Sequence, residues 1–308
     1  MKFELRGSGT ALVTPFDERG RIDFAALESL VNWQISEGID FLVTCTPEGE
    51  SPALSGDERR ALTAHVVKIA NGRVPVVAGA GGNHTAKSVF WARDAMNSGA
   101  SAILSVTPSY NLPSPEGLFR HFTAISDATR LPIVLYNVPA RTGEDLDSET
   151  ILRLAQIPRI AALAEASTNF RKLARLLPRL PPDFAVYSAD DATALGGLGL
   201  GMKGLISTAA NEIPGPIAQM VRAAMDDRSE EARAIHQKYF SLIDVNHCER
   251  SPGPVKAALA MLGRCGETLR LPLAPVREDS RRRIEKVLRN LKLAGRAGPA
   301  REAARPPR

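Results

Sequence analysis

The chain is poor in cysteine, in aromatic residues and in long apolar runs. Its three cysteines, Cys45, Cys248 and Cys265, match no metal-ligand spacing, and an odd number cannot pair completely. Buried or free thiols are therefore expected, which sets aside a disulfide framework and a zinc site. The five histidines are scattered at 65, 84, 121, 236 and 247. His121, on a helical stretch beside Phe119 and Phe122, reads as a packed or surface residue and not as a ligand. No metal and no cofactor is expected. No apolar run approaches the roughly 18 residues that a membrane span needs. The opening Met1-Lys2-Phe3-Glu4-Leu5-Arg6-Gly7 lacks the apolar core of a signal peptide, so a cytoplasmic protein without membrane contact is expected.

What is present is the composition of a globular protein, with 44% hydrophobic and 24% charged residues. The net charge of +5 is unevenly spread. From Arg277 onward eleven Lys/Arg face four Asp/Glu, so that end carries +7 and the rest −2. A basic end can touch nucleic acid. No aromatic residue interleaves with these charges, and the expected reading is a solvated helix followed by a disordered basic tail over 294–308. Nucleic acid is not an expected partner.

Short β-rich runs alternate with amphipathic helical patterns, as in βα units around a parallel sheet. Strands are expected at residues 11–14, 41–45, 74–79, 102–106, 133–136, 160–163, 185–188 and 204–207. Each is apolar nearly throughout, as strands covered on both faces should be. Asp23, Thr85 and Ser114-Pro115 are candidate helix starts. Eight such units predict an α/β fold, a closed (β/α)8 TIM barrel, over 1–227. A doubly wound open sheet is the runner-up, but it would usually carry a glycine fingerprint after its first strand. The Gly79-Ala80-Gly81-Gly82 run follows strand three and reads as a tight turn. Beyond Pro214 the pattern is helical only, which predicts a C-terminal three-helix extension over 228–293.

In such a barrel the carboxyl ends of the strands share one mouth. Read in order, those ends offer Thr14, the loop Thr46-Pro47-Glu48-Gly49-Glu50-Ser51, Asn83, Tyr110, Tyr136 with Arg141, Glu165, Asp190-Asp191 and Asn211. The segment Tyr136-Asn137-Val138-Pro139-Ala140-Arg141-Thr142-Gly143 is the most specific, followed by Thr107-Pro108-Ser109-Tyr110-Asn111. Both closely resemble the dihydrodipicolinate synthase and N-acetylneuraminate lyase family, and the Arg-Thr-Gly ending looks most like its dihydrodipicolinate synthases. The likeness runs from about Gly9 to Leu291.

The resemblance implies a lyase of the class I aldolase type acting on pyruvate or a related 2-keto acid. It implies Tyr136 as acid/base residue, Tyr110 as a tyrosine contributed across a subunit contact, and Arg141 as guide for a substrate carboxylate. Glu48, Gly49, Ser51 and Ile206 fall where the family binds substrate. It also implies a homo-oligomer, a tetramer or a dimer. Two departures stand against this. The position of the family's Schiff-base lysine is Ala164, and the family's threonine pair after strand two is Pro47-Glu48. Alanine offers no amine to condense with a ketone. Lys172, Lys203 and Lys256 are not well placed to replace it. An ionised Glu48 about 4 Å from a substrate carboxylate would repel it by on the order of 4 kcal/mol at an effective dielectric near 20. Impaired Schiff-base chemistry is therefore expected. The alternative is an inactive paralogue that binds a small anion or co-assembles with an active relative. In the family's lysine-feedback region Asn83 is kept, but the usual Glu and Tyr align with Lys87 and Ser109.

Overall fold

The computed structural model describes residues 5–293. Eight parallel strands close in chain order, with β8 returning to β1. They are β1 Gly7–Ala11, β2 Phe41–Thr44, β3 Val76–Gly79, β4 Ala102–Val106, β5 Ile133–Asn137, β6 Ile160–Glu165, β7 Ala185–Ser188 and β8 Gly204–Ser207. The helices around them are α1 Phe24–Ser36, α2 Gly56–Ala70, α3 Thr85–Asn97, α4 Pro115–Ala128, α5 Pro139–Thr142, α6 Ser148–Leu154, α7 Phe170–Leu176, α8 Ala194–Gly199 and α9 Pro214–Met225. Three more follow, α10 Ser229–Val245, α11 Gly253–Met261 and α12 Glu278–Asn290. This is the TIM barrel with C-terminal helices that the βα rhythm predicts. Residues 294–308, expected as a disordered tail, lie outside the described residues.

Strand alternation sorts the core into layers. Phe41, Val43, Val77, Leu104, Val134, Ala162, Ala164, Tyr187 and Ile206 fill the barrel interior. Their neighbours along the strands, such as Ile103, Leu135 and Leu163, face the helices. The C-terminal helices have no separate core: Leu242, Val255 and Ile284 belong to one cluster with Leu27 of α1 and Ile217 of α9. No helix among the described residues is long and apolar enough to cross a membrane.

The first strand departs from expectation. The apolar run at 11–14 is mostly the loop leaving the barrel, and the strand is the small, polar Gly7–Ala11. Its burial is satisfied by specific partners. Ser8 donates to Asp40 Oδ2 at 3.0 Å, Thr10 donates to Gln34 Oε1 at 2.6 Å, and Gly9 yields its side-chain space to the Phe41 ring. Asp23 caps α1 and Ser114 caps α4 as predicted. The cap of α3 is His84, one residue before the predicted Thr85. Thr85 instead meets His121 Nδ1 at 2.9 Å.

Candidate active site at the barrel mouth

A cavity of about 600 Å³ opens at the carboxyl ends of the strands. Its inner wall is Tyr136 of β5, Ile206 of β8, Leu104 of β4 and Thr46 after β2. Glu48 and Arg141 stand together above them. Arg141 is delivered by α5, a single turn that starts at Pro139 because proline fits the first helical position, and ends at Gly143 with φ +86°. Its Nη2 lies 3.3 Å from Glu48 Oε1. Glu48 therefore faces the cavity and is buried, while the Arg141 side chain is 36% exposed. Burial pushes the Tyr136 phenol well above the ordinary tyrosine range. The carboxylates of Glu48 and Asp190 push it further, and Arg141 opposes them. The phenol is held in its protonated form.

The sequence-predicted residues do not all meet here. Tyr136, Glu48, Arg141 and Ile206 line one cavity. Gly49 stands behind it, its carbonyl accepting from Thr14 Oγ1 at 2.7 Å and its Cα packed too near Leu12 O to carry a side chain freely. Ser51 lines a neighbouring cavity instead. Tyr110 points away from both, 92% exposed, at φ +69°. Ala164 is fully buried in the barrel interior, paired in register with Tyr136 on one side and Tyr187 on the other.

No lysine is among the residues lining the mouth. Lys172 reaches toward the end of β6, but on the outer side of the wall, because Glu165 points opposite to Ala164. There its Nζ lies 3.0 Å from Glu165 Oε2 and 2.5 Å from Asp145 Oδ1. Asn137 Nδ2 donates to the same two carboxylates. Lys256 is buried against Glu50 at 2.6 Å. Lys203 lines a cavity at the opposite end of the barrel. None of these three amines reaches the mouth, and the Lys172 and Lys256 amines are each already engaged by carboxylates elsewhere.

Sequence reasoning missed the outer half of the mouth. Asn246, His247, Arg250 and Arg277 come from the loop after α10 and the start of α12 and close over Asp190 and Thr208. These residues carry no motif, and the packing of α10 on α9 and of α12 on α10 and α11 brings them there. Among the described residues no group of three or more His, Cys, Asp and Glu side chains is arranged to hold a metal ion.

Fold and mouth together define a barrel of the aldolase-like lyase class. The sequence matches the dihydrodipicolinate synthetase family over residues 4–291. The 4-hydroxy-tetrahydrodipicolinate synthase of Koribacter versatilis is 48% identical over 285 residues, 92% of this chain and 95% of that protein. The dihydrodipicolinate synthase of Aquifex aeolicus superposes with a TM-score of 0.92 at 36% identity, covering 94% of this chain and 99% of that one. The chloride-inhibited dihydrodipicolinate synthase of Acinetobacter baumannii, solved in complex with pyruvate, gives a TM-score of 0.92 at 37% identity over 94% of this chain and all of its own. The chain belongs to the dihydrodipicolinate synthetase family.

Proposed function

We propose that the barrel mouth binds pyruvate, a related 2-keto acid or another small anion, and that Schiff-base chemistry on it is impaired. One observation carries this reading: Ala164 stands where the resemblance expects the lysine, and no other lysine lines the cavity. In a class I aldolase the amine nitrogen bonds to the ketone carbon, water leaves, and the iminium draws electrons from the adjacent C–H. Without the nitrogen there is no such electron sink. The remaining groups suit recognition. Arg141 is the inner cation for a carboxylate, Tyr136 is a protonated hydrogen-bond donor, and Glu48 competes with the ligand for Arg141. The Acinetobacter relative's complex supports a keto acid as the first ligand to try. The protein acts without a cofactor and assembles as a homo-oligomer, a tetramer or a dimer. The exposed Tyr110 and Leu112, both at positive φ, are the natural contact.

The test is to incubate the protein with pyruvate, reduce with borohydride and read the intact mass, beside an Ala164→Lys variant. No adduct on the parent and one on the variant is the expected result. An adduct on the parent would overturn the reading, and mapping it would identify the amine in use. The Glu48–Arg141 pair also favours a second reading, a paralogue that binds without turnover or that co-assembles with an active relative. Keto-acid binding without product formation, or isolation as a mixed oligomer, would favour it.

A further inference from the structure

Of the acidic residues and arginines that line the mouth, all but one have a partner. Glu48 meets Arg141. Glu249 Oε1 accepts from the Arg277 backbone N–H at 3.0 Å and lies 3.5 Å from Arg277 Nε. Asp190 accepts from the Thr193 N–H at 2.8 Å and from its hydroxyl at 2.6 Å. Asp191 accepts from Ser207 Oγ, and from the Thr208 and Ala209 amides at 3.0 Å each. Arg250 is the exception. It is exposed, it lines the same cavity, and its side chain makes no ion pair or hydrogen bond among the described residues.

The loop that carries Arg250 is pinned from three sides. Asn246, at its start, donates from Nδ2 to the buried Glu212 Oε2 at 2.5 Å, which ties it to the turn before α9. Glu249 ties it to the start of α12. The Gly253 N–H, at the start of α11, donates to the Arg250 carbonyl at 3.1 Å. The backbone at Arg250 is therefore fixed while its guanidinium has no anion. An arginine fork matches a carboxylate through two parallel hydrogen bonds. A fixed backbone lowers the ordering cost of making them.

The cavity runs inward from Arg250 to Tyr136 and Arg141. Its volume of about 600 Å³ lies in the range of sites for ligands much larger than a three-carbon acid. A keto-acid end at Tyr136 and a free cation at the outer rim fit one ligand with an anion at each end. Glu48, Asp190, Asp191 and Glu249 also border the space, so a singly charged carboxylate meets less repulsion there than a phosphate dianion.

We propose that Arg250 is the specificity-determining residue of the mouth, and that the ligand is a 2-keto dicarboxylic acid whose distal carboxylate it holds. This rests on the reading of the mouth as a keto-acid site and names the class of acid within it.

Calorimetric titration of the full-length protein with pyruvate and with 2-oxoglutarate tests the assignment. 2-Oxoglutarate should bind tighter by about tenfold or more, the scale of one charge-assisted contact. Arg250→Gln should bring the two affinities close together. Arg250→Lys, which keeps the charge and loses the fork, should restore part of the gap. The ratio of affinities within one preparation does not depend on the folded fraction. Pyruvate binding with no preference for 2-oxoglutarate would overturn the role of Arg250 and leave the keto-acid reading standing. A preference that survives Arg250→Gln unchanged would do the same. No saturable binding of either acid would overturn both.

Discussion

Glu48 Oε1 lies 3.3 Å from Arg141 Nη2, so the two charged groups above Tyr136 satisfy each other across the barrel mouth. The arginine that the family resemblance assigns to a substrate carboxylate already has one. A ligand carboxylate must either displace Glu48 or bind beyond it, toward Arg250 and Arg277 at the outer rim. The pair spans α5 and the loop after β2, 93 residues apart in the chain.

Replacing the acid should free the arginine. Glu48→Thr is expected to tighten pyruvate binding by about tenfold or more, since it removes a repulsion on the order of several kcal/mol at close range. The same change should lower the Tyr136 pKa, because Glu48 is one of the groups holding it up, although burial will still keep it above an ordinary phenol. Calorimetry with pyruvate and an absorbance titration of the phenolate read the two effects. Unchanged affinity for pyruvate would mean that Arg141 is not the group Glu48 blocks.

Much of this was legible in the chain. Seven of the eight strands announce themselves as apolar runs, and the Tyr136 segment carries its own resemblance. The exception, β1, is instructive. Gly7–Ala11 is too small and polar to read as a buried strand, because its packing partners lie elsewhere: Asp40 for Ser8, Gln34 for Thr10 and the Phe41 ring for Gly9. The opposite sides of the strand wall were hidden for a similar reason. Sequence spacing leaves Lys172 near the end of β6, but only the pleat decides that it meets Glu165 outside while Ala164 faces in. The outer rim from Asn246 to Arg250 depends wholly on tertiary packing.

The β1 arrangement gives a stability prediction. A Cβ on Gly9 would stand 2.0 Å from Phe41 Cε2, and the ring is locked in the barrel interior. Gly9→Ala should therefore destabilise by about 1–3 kcal/mol, the usual cost of overpacking. Adding Phe41→Leu should recover part of the loss. Urea unfolding of the three variants checks this, and strict additivity of the two changes would sink it.

Lys256 and Glu50 form a fully buried ion pair that ties α11 to the loop after β2. Lys256 also donates to the Thr268 carbonyl, and Glu50 accepts from the Arg270 amide. Lys256→Met strands a buried carboxylate, and should cost about 3–5 kcal/mol. Lys256→Met with Glu50→Gln should cost clearly less than the sum of the single changes. A double-mutant cycle by urea unfolding measures the coupling, and a value near zero would mean the pair is not the tie.

His121 supplies a pH dependence with a definite sign. It is buried against Phe122, bonded through Nδ1 to Thr85, and burial lowers its pKa to about 4 from an ordinary value of 6.5. Between those values the unfolded chain takes up a proton that the folded protein refuses. The stabilisation is therefore complete above pH 6.5 and is lost as pH falls toward 4, by on the order of 3 kcal/mol. Glu58, held at about 2 by hydrogen bonds from Arg270, adds a loss in a lower window, between 4.5 and 2. Glu212, whose buried carboxyl is raised, works in the opposite direction, so the His121 contribution must be read by difference. His121→Gln should flatten the stability curve between pH 6.5 and 4 while leaving the fall below 4 in place. Parallel curves for parent and variant, taken from urea midpoints across that range, would show that His121 is not the titrating group.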